Sequence, residues 1–155
     1  MALNFVWFIL GGWVMGLAWW LGAVLLALTI VGMPWAEGAW RIGCFSFFPF
    51  GRAVIDKREL EGREALATGA WRFALNAIWF LLAGWYLAIG HIIAAVLFAI
   101  TIIGLPFAVQ HLKLAGLSLA PVGKEVVSSA LAQEARRTYA HGTLAALRGK
   151  QETGR

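Results

Sequence analysis

The chain has 155 residues and a formal net charge of +5, and it is 61% hydrophobic but only 14% charged. Ordinary soluble domains carry roughly 45–50% apolar and about 25% charged residues, so this composition excludes a soluble enzyme of the usual kind. A single cysteine, Cys44, excludes an intrachain disulfide and a multi-thiolate metal site within one chain.

From Met1 to Ala36 there is no Lys, Arg, Asp or Glu. Such a run far exceeds the roughly 18 apolar residues that mark a membrane span. It lacks a basic leader and is too long for the apolar part of a signal peptide, so it is expected to stay as the first span. As one straight helix the run would be about 60 Å long, against a hydrocarbon core of about 30 Å. Two crossings are therefore expected, with a turn near Gly16–Trp20 and the second crossing interrupted at Thr29-Ile30-Val31-Gly32-Met33-Pro34. A short interfacial or re-entrant segment, Ile42–Phe50, follows Arg41. The linker Arg52–Arg72 mixes charges and suits a short solvated helix, with Lys57 and Glu61 at i,i+4.

Phe73–Leu112 is again free of charge, and the reason is a duplication. Shifting the chain by 72 residues overlays 4–55 on 76–127 without gaps, with 19 of 52 positions identical. Pro34/Pro106, Pro49/Pro121, Thr29-Ile30/Thr101-Ile102 and Gly12-Trp13/Gly84-Trp85 all stay in register. The second unit is thus expected to repeat the first, with its turn near Ala88–Ile92 and its break at Thr101–Pro106. From Ser128 the tail is expected to be helical, fraying past Gly149.

The basic residues orient this scheme. Eleven of 13 lie in the linker (Arg52, Lys57, Arg58, Arg63, Arg72) or the tail (Lys124, Arg136, Arg137, Arg148, Lys150, Arg155); the other two, Arg41 and Lys113, are repeat partners. Two crossings per unit place them all on one face, which the positive-inside rule makes cytoplasmic. The expected architecture is an all-α integral membrane protein of two tandem parallel repeats, each a transmembrane helical hairpin plus a short interfacial segment, about four spans in all. Its parts are repeat 1 (1–51), a cytoplasmic linker (52–72), repeat 2 (73–123) and a basic cytoplasmic tail (124–155). Trp19, Trp20 and His91 would then lie toward the outer interface, and Trp35, Trp40 and Trp71 toward the inner one. His111, beside Lys113, would also be solvated at an interface.

Residues that bear chemistry are few. Paired Gly/Pro breaks in two membrane repeats point to a site for a permeant or ligand, which makes Thr29, Gly32, Pro34, Thr101, Gly104 and Pro106 the candidate pore or binding residues. A packing kink is the competing explanation of the same motif. Gly12, Gly16, Gly84 and Ala88 form small-x-x-x-small pairs suited to close helix packing. Arg41 and Lys113 mark the cytoplasmic interface, and Asn4 and Asn76 open the first helices as caps. No metal-ligand spacing, nucleophile motif or phosphate loop is present, so neither catalysis nor a cofactor is expected.

Asn4–Trp7 and Asn76–Trp79, Gly12-Trp13 and Gly84-Trp85, Ile102–Pro106, and the Pro-x-Gly before the Val-rich strip Pro121–Val127 resemble the YccF-like inner-membrane component family. The resemblance covers the chain from about Asn4 into the tail. It implies a bacterial inner-membrane location and tandem copies, and it implies no enzymatic activity. The expected role is a membrane scaffold or accessory component. A small homo-oligomeric ion channel or passive transporter lined by the paired breaks is the alternative. The expected partners are anionic lipid headgroups, further copies of the chain and a protein bound through linker or tail, with no nucleic acid.

Overall fold

The computed structural model describes residues 1–62 and 66–153, so Arg63 and Arg155 of the basic set fall outside the described residues. The elements are α1 (Ala2–Leu28), α2 (Met33–Phe47), β1 (Arg52–Asp56), α3 (Lys57–Glu61), α4 (66–99), α5 (Leu105–Leu119), β2 (Lys124–Ser128) and α6 (Ser129–Thr153). Two helical segments, Ala2–Leu28 and Gly69–Ala99, are long and apolar enough to cross a membrane.

Each apolar run makes a hairpin, but its turn is not where helix length alone placed it. Gly16–Trp20 and Ala88–Ile92 lie inside α1 and α4, and the reversal comes at Thr29–Gly32 and Thr101–Gly104. Leucine, alanine and tryptophan sustain a helix through Gly16, whereas the Thr-Ile-x-Gly-x-Pro motif carries its own stop and start. Pro34 and Pro106 open α2 and α5, at helix starts where the missing N–H costs nothing. Ile42–Phe47 is consequently the end of α2, and 114–119 the end of α5, instead of separate interfacial pieces.

Within hairpin 1 the small residues sit on the contact. A side chain at Gly12 would meet the Trp7 indole and the Ser46 carbonyl, and one at Gly43 would meet Trp20 and the Gly16 carbonyl. Gly16 faces the Phe47 ring. In hairpin 2, Gly84 lies against the Ser118 and Leu119 carbonyls, and Ala88 is buried. Both long helices are irregular at the same place: α1 kinks within Phe8–Gly12, where Gly11 takes φ +123°, and α4 widens into a π turn at Phe80–Gly84.

The two hairpins pack head to tail. Trp35, just past the turn of hairpin 1, donates its indole N–H to the Leu75 carbonyl near the start of hairpin 2 (3.0 Å) and stacks near Trp79. In return Phe107, just past the turn of hairpin 2, stacks on Trp7 near the start of hairpin 1, with ring centroids 6.3 Å apart. Each hairpin thus sets its turn beside the start of the other, so α1 and α4 do not run side by side. If α1 and α4 ran side by side away from a shared face, residue 75 and residue 35 would be roughly 30 Å apart along the helix direction, at 1.5 Å per residue. Trp20, expected at the opposite interface from Trp40, likewise stacks on it at 4.6 Å.

Strands β1 and β2 tie the repeats together as an antiparallel ribbon whose register pairs Val54 with Val126. These two residues are also repeat partners (126 − 54 = 72), so a pseudo-two-fold axis passes between them. Lysine and arginine side chains reach across it. Arg41 of repeat 1 donates to the Lys124 carbonyl (2.7 Å), and Lys113 of repeat 2 donates to the Arg52 carbonyl (3.3 Å). Beneath the ribbon Ile42, Leu114, Phe45 and Leu117 form the core with Trp7 and Phe107. The linker and the tail each begin as a strand of the ribbon. The helix of the tail continues past Gly149 to Thr153.

Candidate functional site: the charged ribbon face and the hairpin turns

At each turn the threonine hydroxyl is bonded locally. Thr29 Oγ1 donates to the Leu26 carbonyl (2.9 Å) and accepts the Gly32 amide (3.0 Å); Thr101 Oγ1 does the same with Phe98 (3.3 Å) and Gly104 (3.0 Å). A side chain at Gly32 would meet Thr29 Oγ1 and the Leu26 carbonyl, and one at Gly104 would fall on the Phe98 carbonyl. Thr, Gly and Pro of the motif thus each serve the reversal. Ile30, Val31, Ile102 and Ile103 project from the tips, at least 79% exposed, an apolar end suited to lipid.

Asn4 and Asn76 are not caps. Each lies within its helix and brackets one backbone unit of the returning chain. Asn4 donates to the Phe50 carbonyl (3.1 Å) and accepts its amide (3.0 Å); Asn76 does so with Val122 at 3.0 Å in both directions. The neighbouring indoles close the same seam, Trp7 to Ser46 O at 2.6 Å and Trp79 to Ser118 O at 2.8 Å. An Asn followed three residues later by Trp is the sequence trace of this clasp.

The charges gather on the ribbon face. Asp56 is the hub of one cluster: Arg72 approaches it at 2.7 Å, Arg58 at 3.2 Å and Lys124 at 3.3 Å. It also caps α3 by accepting the Arg58 amide. Burial works to raise its pKa, but the Arg58 amide and side chain, the Arg72 guanidinium and the Lys124 charge outweigh it and hold the carboxyl well below the usual range. Arg41 pairs with Glu37 and with Glu125 (3.2 Å), which Lys57 also approaches (3.9 Å). On the far side of the ribbon Arg136 of α6 donates to the Val54 carbonyl (2.8 Å) and pairs with Glu59 (3.4 Å).

Sequence reasoning missed one further contact. His91 and His111, expected at solvated interfaces, meet inside hairpin 2 with Nδ1 atoms 3.2 Å apart. Trp7 and Phe98 pack on the His111 ring. One ring must donate and the other accept, so the pair holds together only while one Nδ1 is unprotonated. The signal was the joint replacement of Trp19 and Ala39 by His91 and His111, two positions that a hairpin brings face to face. Among the described residues no group of three or more His, Cys, Asp or Glu side chains is placed to hold a metal ion.

An apolar, doubled helical-hairpin body with one charged face defines a membrane protein with internal duplication. The chain belongs to the YccF inner membrane component domain family, whose domain matches residues 2–52 and again 74–124. It is 36% identical over 141 residues to the inner membrane protein YccF of Escherichia coli (strain K12), covering 89% of this chain and 94% of that one. The same figures hold for the inner membrane protein YccF of Shigella flexneri. No solved structure matches the chain.

Proposed function

We propose that the protein is a non-catalytic component of the bacterial inner membrane, an apolar body that presents a charged cytoplasmic platform to a partner protein. The observation that carries this reading is the segregation of charge. The Asp56, Glu125 and Arg136–Glu59 clusters centre on the ribbon and on α3 and α6 beside it, with Arg72 of α4 and Arg41 and Glu37 of α2 reaching in from the hairpins. The long helices instead expose Phe5, Ile9, Leu21, Leu25, Leu81 and Leu97. Both termini fall on the cytoplasmic side in this arrangement, since α1 starts at the Phe50 clasp beside β1 and α6 extends from β2.

The head-to-tail packing bears on how the body sits. If α1 and α4 crossed the bilayer in opposite directions, the ribbon lying along them would be carried to hydrocarbon depth. Each charged residue there costs about 2.5–3.5 kcal/mol at the centre of the bilayer, and the ribbon alone carries Arg52, Asp56, Lys124 and Glu125. A shallower seating avoids this: the hairpins lie across the membrane normal in the cytoplasmic leaflet, with the ribbon facing the cytoplasm. Cysteines at Ile30 and Ile102, in a Cys44→Ala background, should then resist a membrane-impermeant thiol reagent added to the periplasmic side. Rapid labelling of either turn from that side would refute the seating.

The platform half of the reading rests on α6, whose Leu131, Leu144 and Leu147 are about half exposed although the helix is polar overall. A photo-crosslinker at Leu144 or Leu147 in native membranes should give a discrete adduct with another protein. Adducts only with this chain itself, or with none, would remove the heteromeric scaffold.

A further inference from the structure

The hairpins meet along two seams that the pseudo-two-fold axis makes equivalent, and the seams are filled differently. At one, Trp35 and Trp79 stack with ring centroids 6.4 Å apart, and Trp19 of hairpin 1 packs against them. At the other the repeat partners Phe107 and Trp7 stack at 6.3 Å, and His91 stands in the position of Trp19 (91 − 72 = 19). His111 stands where hairpin 1 has Ala39 and is only 6% exposed. One seam is therefore closed by an indole and its equivalent by two imidazoles. Their Nδ1 atoms are 3.2 Å apart, and Trp7 lies on the His111 ring with centroids 5.0 Å apart.

An imidazole pair answers to protons as an indole cannot. With both rings neutral, one Nδ1–H donates to the other Nδ1, and a first added proton can be taken up at an outer Nε2 without breaking that bond. A second proton has to go on the accepting Nδ1. Two N–H groups then point at one another, both rings are positive, and the bond is lost. Among the described residues no Cys, Asp or Glu side chain joins the pair to offset that charge. The helix that supplies Trp7 has no ionisable side chain. On α4 and α5 the other such groups are Arg72, which Asp56 holds at 2.7 Å, the half-exposed Tyr86, and Lys113, whose Nζ donates to Gln110 Oε1 (3.1 Å) and the Arg52 carbonyl. On α2, Glu37 pairs with Arg41, and Cys44 lies with Phe8, Trp13 and Phe47. On the ribbon, Arg52 reaches the Cys44 carbonyl, and Asp56, Lys124 and Glu125 belong to the clusters already described.

We propose that His91 and His111 form a proton-operated latch, closed while one Nδ1 is bare and open when both carry protons. The latch joins α4 to α5 and, through the His111 ring, to Trp7 of α1. Its opening frees the seam that holds the turn end of hairpin 2 to the start of hairpin 1. The Trp35–Trp79 seam contains no titratable group and stays shut, so acid swings hairpin 2 about the seam that remains. Histidine is the side chain whose ordinary pKa allows such a change in mildly acidic conditions. The inference depends neither on the platform binding a protein nor on how deeply the hairpins sit in the bilayer.

The test is the distance between paired spin labels on the detergent-solubilised full chain, in a Cys44→Ala background. It is measured at about pH 7.5 and about pH 4.5, which bracket the ordinary imidazole pKa of about 6.5. Labels at Phe5→Cys and Ile102→Cys span the latched seam, and labels at Ile30→Cys and Phe73→Cys span the other; all four positions are well exposed. The first distance should lengthen and broaden at the acidic pH and return on neutralisation, while the second stays constant. The double variant His91→Trp/His111→Ala, which rebuilds the Trp19 and Ala39 arrangement of hairpin 1, should hold the first distance constant as well. If it does not fold, His91→Gln decides, because an amide can bond His111 in either protonation state. Both variants keep Asp56 and the exposed His141, so effects of those groups remain in the comparison. An unchanged first distance in the native pair, the same lengthening in the variant that folds, or equal lengthening across both seams would each overturn the latch.

Discussion

Trp7→Ala should destabilise the protein by about 3–5 kcal/mol, the range for deleting a large buried aromatic side chain, and Trp79→Ala by a similar but smaller amount. Both rings are nearly fully buried, and each indole N–H satisfies a carbonyl at the end of the returning helix. The difference comes from what else each touches. Trp7 packs on Phe50, Phe107 and His111, so its loss loosens hairpin 1 and the contact between hairpins. Trp79 packs chiefly on Trp35. Replacing either by Phe keeps most of the apolar contact but leaves a buried carbonyl without its donor, at a cost of about 1–3 kcal/mol. Thermal or chemical unfolding of the detergent-solubilised protein would measure the series. Trp7→Ala unfolding no more easily than Trp7→Phe would contradict the role given to the ring.

Asp56→Asn should cost about 2 kcal/mol at neutral pH, in the range of hydrogen bonds to charged groups, and should remove a pH dependence that the native chain shows. Asparagine keeps the cap on α3, being as good a capping residue as aspartate, so the substitution isolates the charge. The sign follows from the lowered pKa of the folded state. The ionised carboxylate's contribution is fully present above the unfolded-state pKa, about 4, and is lost as pH falls from there toward the folded value. The native chain should therefore lose stability relative to the variant on going from pH 5 to pH 2, and the two curves should converge at the acidic end. Parallel curves across that window would show that Asp56 is not the hub of the cluster.

The duplication, the apolar class, the one-sided charge and the family were all legible in the residues, because each is a property of composition or of order along the chain. A 72-residue shift preserves Asn, Trp, Thr, Gly and Pro at positions that make the same hydrogen bonds twice, as Asn4 with Phe50 and Asn76 with Val122 do. The Thr-Ile-x-Gly-x-Pro motif was conspicuous as a break, but its nature as the hairpin turn was not. Span-length arithmetic put the reversal a dozen residues too early, since helix length says how far a chain can run and not where it will stop.

What only tertiary structure decided is how the two copies face one another. A tandem repeat has the same sequence whether its units lie parallel or head to tail. The choice is made by contacts far apart in the chain: Trp35 with Leu75, Phe107 with Trp7, and Val54 paired with Val126 across the ribbon. The His91–His111 contact and the Asp56 cluster have the same origin. Each joins side chains from different elements, and no local pattern encodes such a meeting until the hairpins close and the ribbon sets their register. Sequence order thus determined what the repeating unit is and which of its surfaces is apolar, while long-range packing determined the direction in which the second unit runs.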